Sequence, residues 1–178
     1  MKRSSKAKLI LMAQSTTIAL SAIALTGCEE AVNAHVFKDV QQCSAFYSQS
    51  FCQDEINKAK ANHNQHAPKY VNKKDCEEDF GEKQCESRSS SGSFVYVPYM
   101  QGYMTSSYAG QPSQLQTQPL YKAKDDPSAY RMANNEVVSR STGQTRVYPS
   151  STLFPKAGTT VTRGGFGSTA AAKMSAGG

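Results

Sequence analysis

The chain has 178 residues, a mean hydropathy of −0.55 and no tryptophan, which excludes a protein built around a large hydrophobic core. Its formal net charge is +6, but four of the 20 basic residues lie within the first eight positions. The remaining 16 basic and 14 acidic side chains give a net charge of +2, spread without a basic block. So small a charge provides little counterion-release affinity for phosphate backbones, and we therefore expect no nucleic-acid partner.

The first 27 residues have the pattern of an export signal. A cationic stretch, residues 1–8, precedes the mostly apolar residues 9–25, which are interrupted by Gln, Ser and Thr. A permanent membrane-spanning helix needs about 20 strongly apolar residues, and this segment is short for one. An uncleaved signal anchor stays open as the alternative, although the length and the flanks fit it less well. We expect residues 1–27 to be a signal peptide that is removed.

The next residues resemble the lipobox of bacterial lipoproteins. Leu25-Thr26-Gly27-Cys28 supplies an aliphatic residue, two small residues that let a signal peptidase bind the extended backbone, and a thiol. The resemblance implies that Cys28 receives a diacylglycerol and, after cleavage, a further acyl chain on its amine. More than one chain gives stable anchoring in membrane lipid, because each buried methylene contributes ~0.8 kcal/mol. The expected location is the periplasmic face of the inner or the outer membrane, and Glu29 and Glu30 leave that choice open.

Four cysteines remain for the exported part: Cys43, Cys52, Cys76 and Cys85. An even number in an exported protein predicts two disulfides, which would stabilise a small unit with few apolar residues. Four cysteines allow three pairings, and their positions alone do not choose among them. Because the two C-x8-C segments look like copies of one another, they favour Cys43–Cys52 and Cys76–Cys85.

Residues 28–88 also carry helix signals. Asp39 and Asn72 each lie four positions before a cysteine and suit the N-cap of a short helix. Cys52 and Ala59 fall on one apolar stripe of a longer helix, with charged residues on its other sides. We expect a small, mostly α-helical domain over residues 28–88, with three short helices held together by the disulfides.

The second half of the chain, residues 89–178, is rich in Ser, Gln, Gly and Tyr and loses its periodicity. Segments such as 111–118 and 139–144 are too polar to offset an ordering entropy of about 1–2 kcal/mol per residue. We therefore expect a long, largely disordered tail with one or two short β segments, at residues 94–104 and 159–167. Three roles stay open for the first of these: lying on a membrane, contacting an envelope protein, or packing on the cysteine domain.

No residues stand out as a catalytic or metal site. His63 and His66 have H-x2-H spacing, but zinc sites normally use C-x2-4-C ligands in a reducing compartment. The acidic run at residues 75–79 lacks the spacing and the glycine of a calcium loop and is typical of a solvated helix face. No Ser/His/Asp or Cys/His arrangement can be picked out either. We expect neither enzymatic activity nor a cofactor.

Several motifs together resemble the YgiB-like proteins, an uncharacterised enterobacterial family without an assigned function. These motifs are the lipobox, Ala67-Pro-Lys-Tyr70 leading to Asp75-Cys76, Phe80-Gly81 and Gln84-Cys85, the segment from Ser93 to Met104, and the closing Thr160-Val-Thr-Arg-Gly-Gly-Phe-Gly167. Tyr99 and Gln101 depart from the family, in which smaller or more aliphatic residues are usual. The resemblance implies an exported lipoprotein and carries over no catalytic residues.

The leading interpretation is a non-enzymatic envelope lipoprotein with a lipid anchor, a disulfide-stapled helical domain, and a tail that contacts another envelope protein. The resemblance also implies an alternative, an accessory to an ATP-grasp ligase similar to glutathionylspermidine synthase, because genes of both kinds can be neighbours. A periplasmic metal-binding protein that uses His63 and His66 is a further alternative.

Overall fold

A computed structural model describes residues 29–90, 92–106, 115–155 and 165–167. The expected signal peptide, residues 1–27, and the expected lipidation site, Cys28, lie outside the described residues. Within those ranges the chain forms, in order, the elements β1 (Val32–Phe37), α1 (Val40–Ser44), α2 (Gln49–His66), α3 (Lys73–Phe80), β2 (Cys85–Ser90), β3 (Ser93–Pro98), β4 (Gly102–Ser106), β5 (Gln118–Ala123), β6 (Asp126–Arg131), β7 (Val137–Ser139), β8 (Gly143–Val147) and a 3-10 helix (Pro149–Thr152).

Six strands of the described part form one antiparallel sheet in the order β7-β6-β5-β4-β1-β8, and β2 pairs with β3 in a separate hairpin. Strand β1 lies between two strands from the other half of the chain, because Ala34 is opposite Ser106 on one side and Thr145 on the other. The sheet curls until its edges approach, and the Thr145 hydroxyl on β8 donates to the Val138 carbonyl on β7 at 3.1 Å.

The side chains of β1 alternate between two buried faces of the sheet. Ala34 and Val36 point into the curl, where Val36 is paired with Met104 across β4. Phe37 points the other way, towards the helices, and packs with Tyr103. A strand that is covered on both faces in this way has almost no exposed position, which is why four successive residues of β1 are buried.

Helices α1 and α3 begin where the sequence places their caps, whereas α2 has its N-cap at Ser48. Asp39 is the N-cap of α1, and its Oδ1 accepts a hydrogen bond from the Gln42 amide at 2.8 Å. Asn72 is the N-cap of α3, although its side chain makes no capping hydrogen bond. Cys52 and Ala59 lie on the buried side of α2, as their stripe predicts. None of the helices in the described ranges combines the length and the apolar character needed to cross a membrane.

The structure pairs Cys43 with Cys52 and Cys76 with Cys85, the connectivity that the two C-x8-C segments favour. The first disulfide joins α1 to α2, and the second joins α3 to the first residue of β2. Their Cα–Cα distances of 5.8 and 6.3 Å are ordinary for disulfides. All four side chains are buried, so each bond lies within a core cluster.

The expected mostly α-helical domain with a long disordered tail is wrong, because the described part of the chain is mostly β. Strands β3 to β8 lie in residues 89–178, and they form one sheet with β1 from the first half. The prediction failed because it treated polar segments of the second half as unable to form a core. Gln118, for example, is 1% exposed and donates to the Thr152 carbonyl at 2.8 Å. A polar side chain with such a partner can be buried at little cost, so low hydropathy does not exclude a folded sheet.

Replacing Cys43 and Cys52 together by alanine should lower the free energy of unfolding by about 2–3 kcal/mol, since the disulfide restricts a short loop of the unfolded chain. The Cys76/Cys85 double replacement should cost a similar amount, because both bonds have a sequence separation of 9. Urea denaturation of both variants measures these losses, with Ser44→Ala, an exposed neighbour of Cys43, as the control. Unchanged unfolding midpoints would show that the bonds do not stabilise the fold.

Candidate functional site

The closing glycine-rich motif inserts one aromatic side chain into the protein. Phe166 is 2% exposed, and its ring centroid lies 4.6 Å from that of Phe80 and 6.1 Å from that of Tyr121. Tyr70 completes the aromatic wall with an edge-on contact to Phe80 at 6.0 Å. Tilted and edge-on ring pairs of this kind stabilise by about 0.5–1.5 kcal/mol each beyond their burial.

The same cavity binds the backbone of the motif. Asp79 Oδ2 accepts a hydrogen bond from the Phe166 amide at 3.2 Å. Asn135 Oδ1 accepts from the Gly167 amide and its Nδ2 donates to the Gly167 carbonyl, both at 2.9 Å. One side-chain amide thus makes the two hydrogen bonds that a paired strand residue would make. We call Tyr70, Asp79, Phe80, Tyr121 and Asn135 the Phe166 receptacle.

Asp79 and Asn135 are themselves held in place by the fold. The Tyr70 hydroxyl donates to Asp79 Oδ2 at 2.7 Å, and burial together with the Asp79 charge raises the pKa of Tyr70 far above its ordinary value. Asn135 lies in the turn between β6 and β7 with φ +72°, a left-handed conformation that Asn tolerates better than most residues. Arg131 donates to the Asn135 carbonyl at 3.0 Å and fixes that turn.

Gly167 fits the receptacle because it has no side chain. Its φ is +87°, and a Cβ at this position would lie 2.5 Å from the Asp125 carboxylate. A larger residue would therefore meet backbone strain and would have to displace the exposed Asp125 side chain. The receptacle selects a phenylalanine by its aromatic wall and a following glycine by the space beside Asp125.

A second buried polar pair lies beside the receptacle. His63 Nδ1 is 2.8 Å from the Tyr121 hydroxyl, and both side chains are buried. Burial, with the positive charge of Arg88 as the second cause, lowers the pKa of His63 to about 4, and burial raises the pKa of Tyr121. At neutral pH the pair is a hydrogen bond between an uncharged imidazole and a phenol, which ties α2 to β5.

The candidate metal and acidic residues are not brought together. His63 is bonded to Tyr121, while the His66 ring stacks on Phe154 at 4.3 Å. Among the described residues, no group of three or more His, Cys, Asp or Glu side chains is placed to hold a metal ion. The acidic run is not a fully solvated helix face either, because Asp79 is 7% exposed and binds Tyr70.

Sequence reasoning missed the receptacle. The sequence predicts Asp79 only as one more surface acid, and Asn135 carries no signal in a segment that is expected to be disordered. The closing Gly-Gly-Phe-Gly of residues 164–167 was the available clue, since one large aromatic among glycines needs somewhere to be buried.

The start of the described chain is also bound to the fold. The Glu29 carboxylate accepts hydrogen bonds from the amide of Ser150, at 2.6 Å, and from its hydroxyl. Arg146 donates to the Ala31 carbonyl at 2.8 Å and lies 3.9 Å from the Glu30 carboxylate. An open cavity of about 670 Å³ at this point is lined by Glu29, Glu30, Ala31, Arg146 and Tyr148.

Residues 31–177 match the family model described as "Protein of unknown function (DUF1190)". The chain belongs to this family. Its β1 strand, its disulfides and the Phe166 receptacle all lie inside the matched residues, and the resemblance to uncharacterised YgiB-like proteins is confirmed.

Similar bacterial proteins cover most of the chain. A UPF0441 protein of Erwinia tasmaniensis is 35% identical over 86% of this chain and 79% of its own length. Two further UPF0441 proteins, from Pectobacterium atrosepticum and Pectobacterium carotovorum, are each 32% identical over 89% of this chain and 81% of their own length. No solved structure matches the chain. The names of these relatives assign no activity.

Replacing Gly167 by alanine should destabilise the protein more than the same change at Gly92. Both residues have positive φ, but a Cβ at Gly92 would have no atom within 4 Å. Gly92→Ala should therefore cost only the roughly 1–2 kcal/mol of a left-handed alanine, whereas Gly167→Ala also displaces Asp125. Thermal and urea unfolding of the two variants compare the losses. Equal losses would mean that the receptacle does not select glycine.

The free energy of unfolding should depend on pH because His63 is buried in its uncharged form beside Tyr121. Between about pH 6.5 and about pH 4 the unfolded chain binds a proton on His63 that the folded protein excludes, so stability should fall as the pH drops through this window. The fall should be smaller in His63→Gln than in the wild type. Urea unfolding at half-unit pH steps measures it. A His63→Gln profile that overlays the wild type would contradict the assignment.

Proposed function

We propose that this DUF1190 protein is a non-enzymatic envelope lipoprotein, exported by residues 1–27, acylated on Cys28 and held at the periplasmic face of a bacterial membrane. The observation that supports it most is the use of the other cysteines. All four form buried disulfides, as is usual in an oxidising compartment, and Cys28 of the lipobox is the remaining cysteine of the sequence.

The start of the fold also supports this processing. Glu29 is bound by Ser150, and strand β1 begins at Val32, so every strand of the sheet lies after the expected cleavage point. Cleavage before Cys28 would leave the sheet intact. Cys28 would then be the first residue of the mature protein. Only a few residues would separate its lipid from strand β1, and the first of them, Glu29, is already bound to the fold.

The chemistry of the interior favours a binding or structural role over catalysis. Several of its buried ionisable groups are bonded to polar neighbours inside the core, as in the pairs His63–Tyr121 and Tyr70–Asp79. Glu55 likewise accepts hydrogen bonds from the hydroxyl groups of two threonines in the sheet region. A catalytic acid or base must instead face a substrate in a pocket. The contacts of His63 and Glu55 hold α2 against the sheet.

Contact with another envelope protein is the role that we assign to the second half of the chain. Its described part is folded, so the contact would use exposed side chains of the β3 region, where Phe94 is 74% and Tyr99 is 44% exposed. Exposed aromatic residues are enriched in protein interfaces. A photo-crosslinking residue placed at position 94 in intact cells should trap this partner, and the absence of any adduct would count against the contact.

Changing Cys28 to alanine should abolish acylation and processing, so that the protein keeps its signal peptide and migrates as a larger species. Globomycin, which inhibits the lipoprotein signal peptidase, should cause the same accumulation in the wild type. The control is the Cys43→Ala/Cys52→Ala variant, which loses two cysteines but keeps the lipobox and should still be acylated. Mass spectrometry of the N-terminal peptide gives the decisive readout, and an unmodified Met1 in the wild type would refute the proposal.

A further inference from the structure

One face of the protein surrounds the point at which the described chain begins. Glu29 and Glu30 lie there beside Arg146, and the exposed side chains of Tyr148 and Leu153 flank the 3-10 helix. Tyr148 is 54% exposed and Leu153 is 69% exposed, so both side chains are accessible to a surface that docks there. We call these five residues the entry face.

The covalent chain fixes how far this face can lie from residue 28. Consecutive Cα atoms are about 3.8 Å apart, so Cys28 lies one such step from Glu29. Glu29 is not a free linker residue, because its carboxylate is bound to both the amide and the hydroxyl of Ser150. Ala31 is bound as well, through the Arg146 guanidinium. Any group attached to Cys28 therefore leaves the protein beside the entry face.

We propose that the entry face docks on the phospholipid headgroups, so that the folded unit is seated on the membrane instead of moving freely on a tether. The inference rests on the proposed acylation of Cys28. Acyl chains that enter the bilayer from residue 28 bring Tyr148 and Leu153 to the level of the headgroups. A phenol ring is favoured at that level, because its apolar body and its polar hydroxyl each find a matching environment.

The entry face carries two carboxylates and one guanidinium, a net charge of −1 that a zwitterionic surface, which has no net charge of its own, does not repel. Glu30 and Arg146 are both exposed and lie 3.9 Å apart, so their charges largely offset one another. Glu29 has its carboxylate bonded to Ser150. The Arg146 guanidinium remains able to bind a lipid phosphate, which is a geometry that this side chain favours. The open cavity between these groups gives a headgroup room to approach.

The opposite end of β1 provides an internal reference. Phe46 packs on His35 and Phe37, and Phe37 is the last residue of that strand, roughly 20 Å from Ala31 at about 3.3 Å per residue. Phe46 is 61% exposed, close to the value for Tyr148. The two aromatic side chains thus differ in their distance from residue 28 and not in their access to solvent.

A tryptophan introduced at each position can report its depth, because the natural chain contains none. The full-length variants Tyr148→Trp, Leu153→Trp and Phe46→Trp would be isolated from membranes and reconstituted into phosphatidylcholine vesicles with and without brominated acyl chains. Bromine should reduce the fluorescence of Tyr148→Trp and Leu153→Trp roughly twofold if their rings reach the interface, about 5–10 Å deep. Phe46→Trp should be unaffected.

The quenching experiment tests the docked orientation, whereas the mass of the N-terminal peptide tests acylation, so the two claims can fail separately. Acylated protein whose three variants are all unquenched, or all quenched alike, would overturn the docked orientation and leave the lipoprotein assignment in place. Protein without acyl chains would overturn both. A variant whose unfolding midpoint equals that of the wild type is taken as folded. If Tyr148→Trp does not fold, Leu153→Trp tests the entry face independently.

Discussion

The pairing of strand β1 on both of its sides holds the two halves of the chain together. It lies between β4 and β8, and Ala31, just before it, is bound by Arg146 across 115 positions of the sequence. Contacts between such distant residues carry a large entropy of loop closure, which burial must offset. The fully buried Ala34, Val36 and Phe37 provide that burial on both faces of the sheet.

Buried polar pairs then position the helices on this sheet. Glu55 and His63, both on α2, are bonded to Thr105 of β4 and Tyr121 of β5. Removing one partner of such a pair would leave a buried polar group without a hydrogen bond, at a cost of about 1–3 kcal/mol. This arrangement explains how a chain of low mean hydropathy has an ordered core. The ionisable side chains of Glu55 and His63 therefore stabilise the packing of α2 on the sheet.

The short-range features of the fold were predictable, and the long-range ones were not. Asp39 and Asn72 mark helix starts because a cap depends on a few neighbouring residues. The two disulfides were predictable as well, because each joins cysteines only nine positions apart and the two C-x8-C segments resemble one another. Strand β1 and the partners of Gln118 depend on residues far away in sequence, so the sequence predicts a helical domain around the first and a disordered tail around the second. The Phe166 receptacle was missed because Asp79 and Asn135 meet only in the folded protein.

Hydrogen exchange along β1, β4 and β8 tests most directly whether the two halves of the chain fold as one unit around β1. If they do, the slowest amides of these strands should exchange with a common free energy, equal to that of global unfolding in urea. The same protection should then extend from β1 in the first half to β8 in the second. Amides of residues 92–106 and 115–155 that exchange at the rate of an unfolded chain, while those of α2 and α3 stay protected, would contradict this fold.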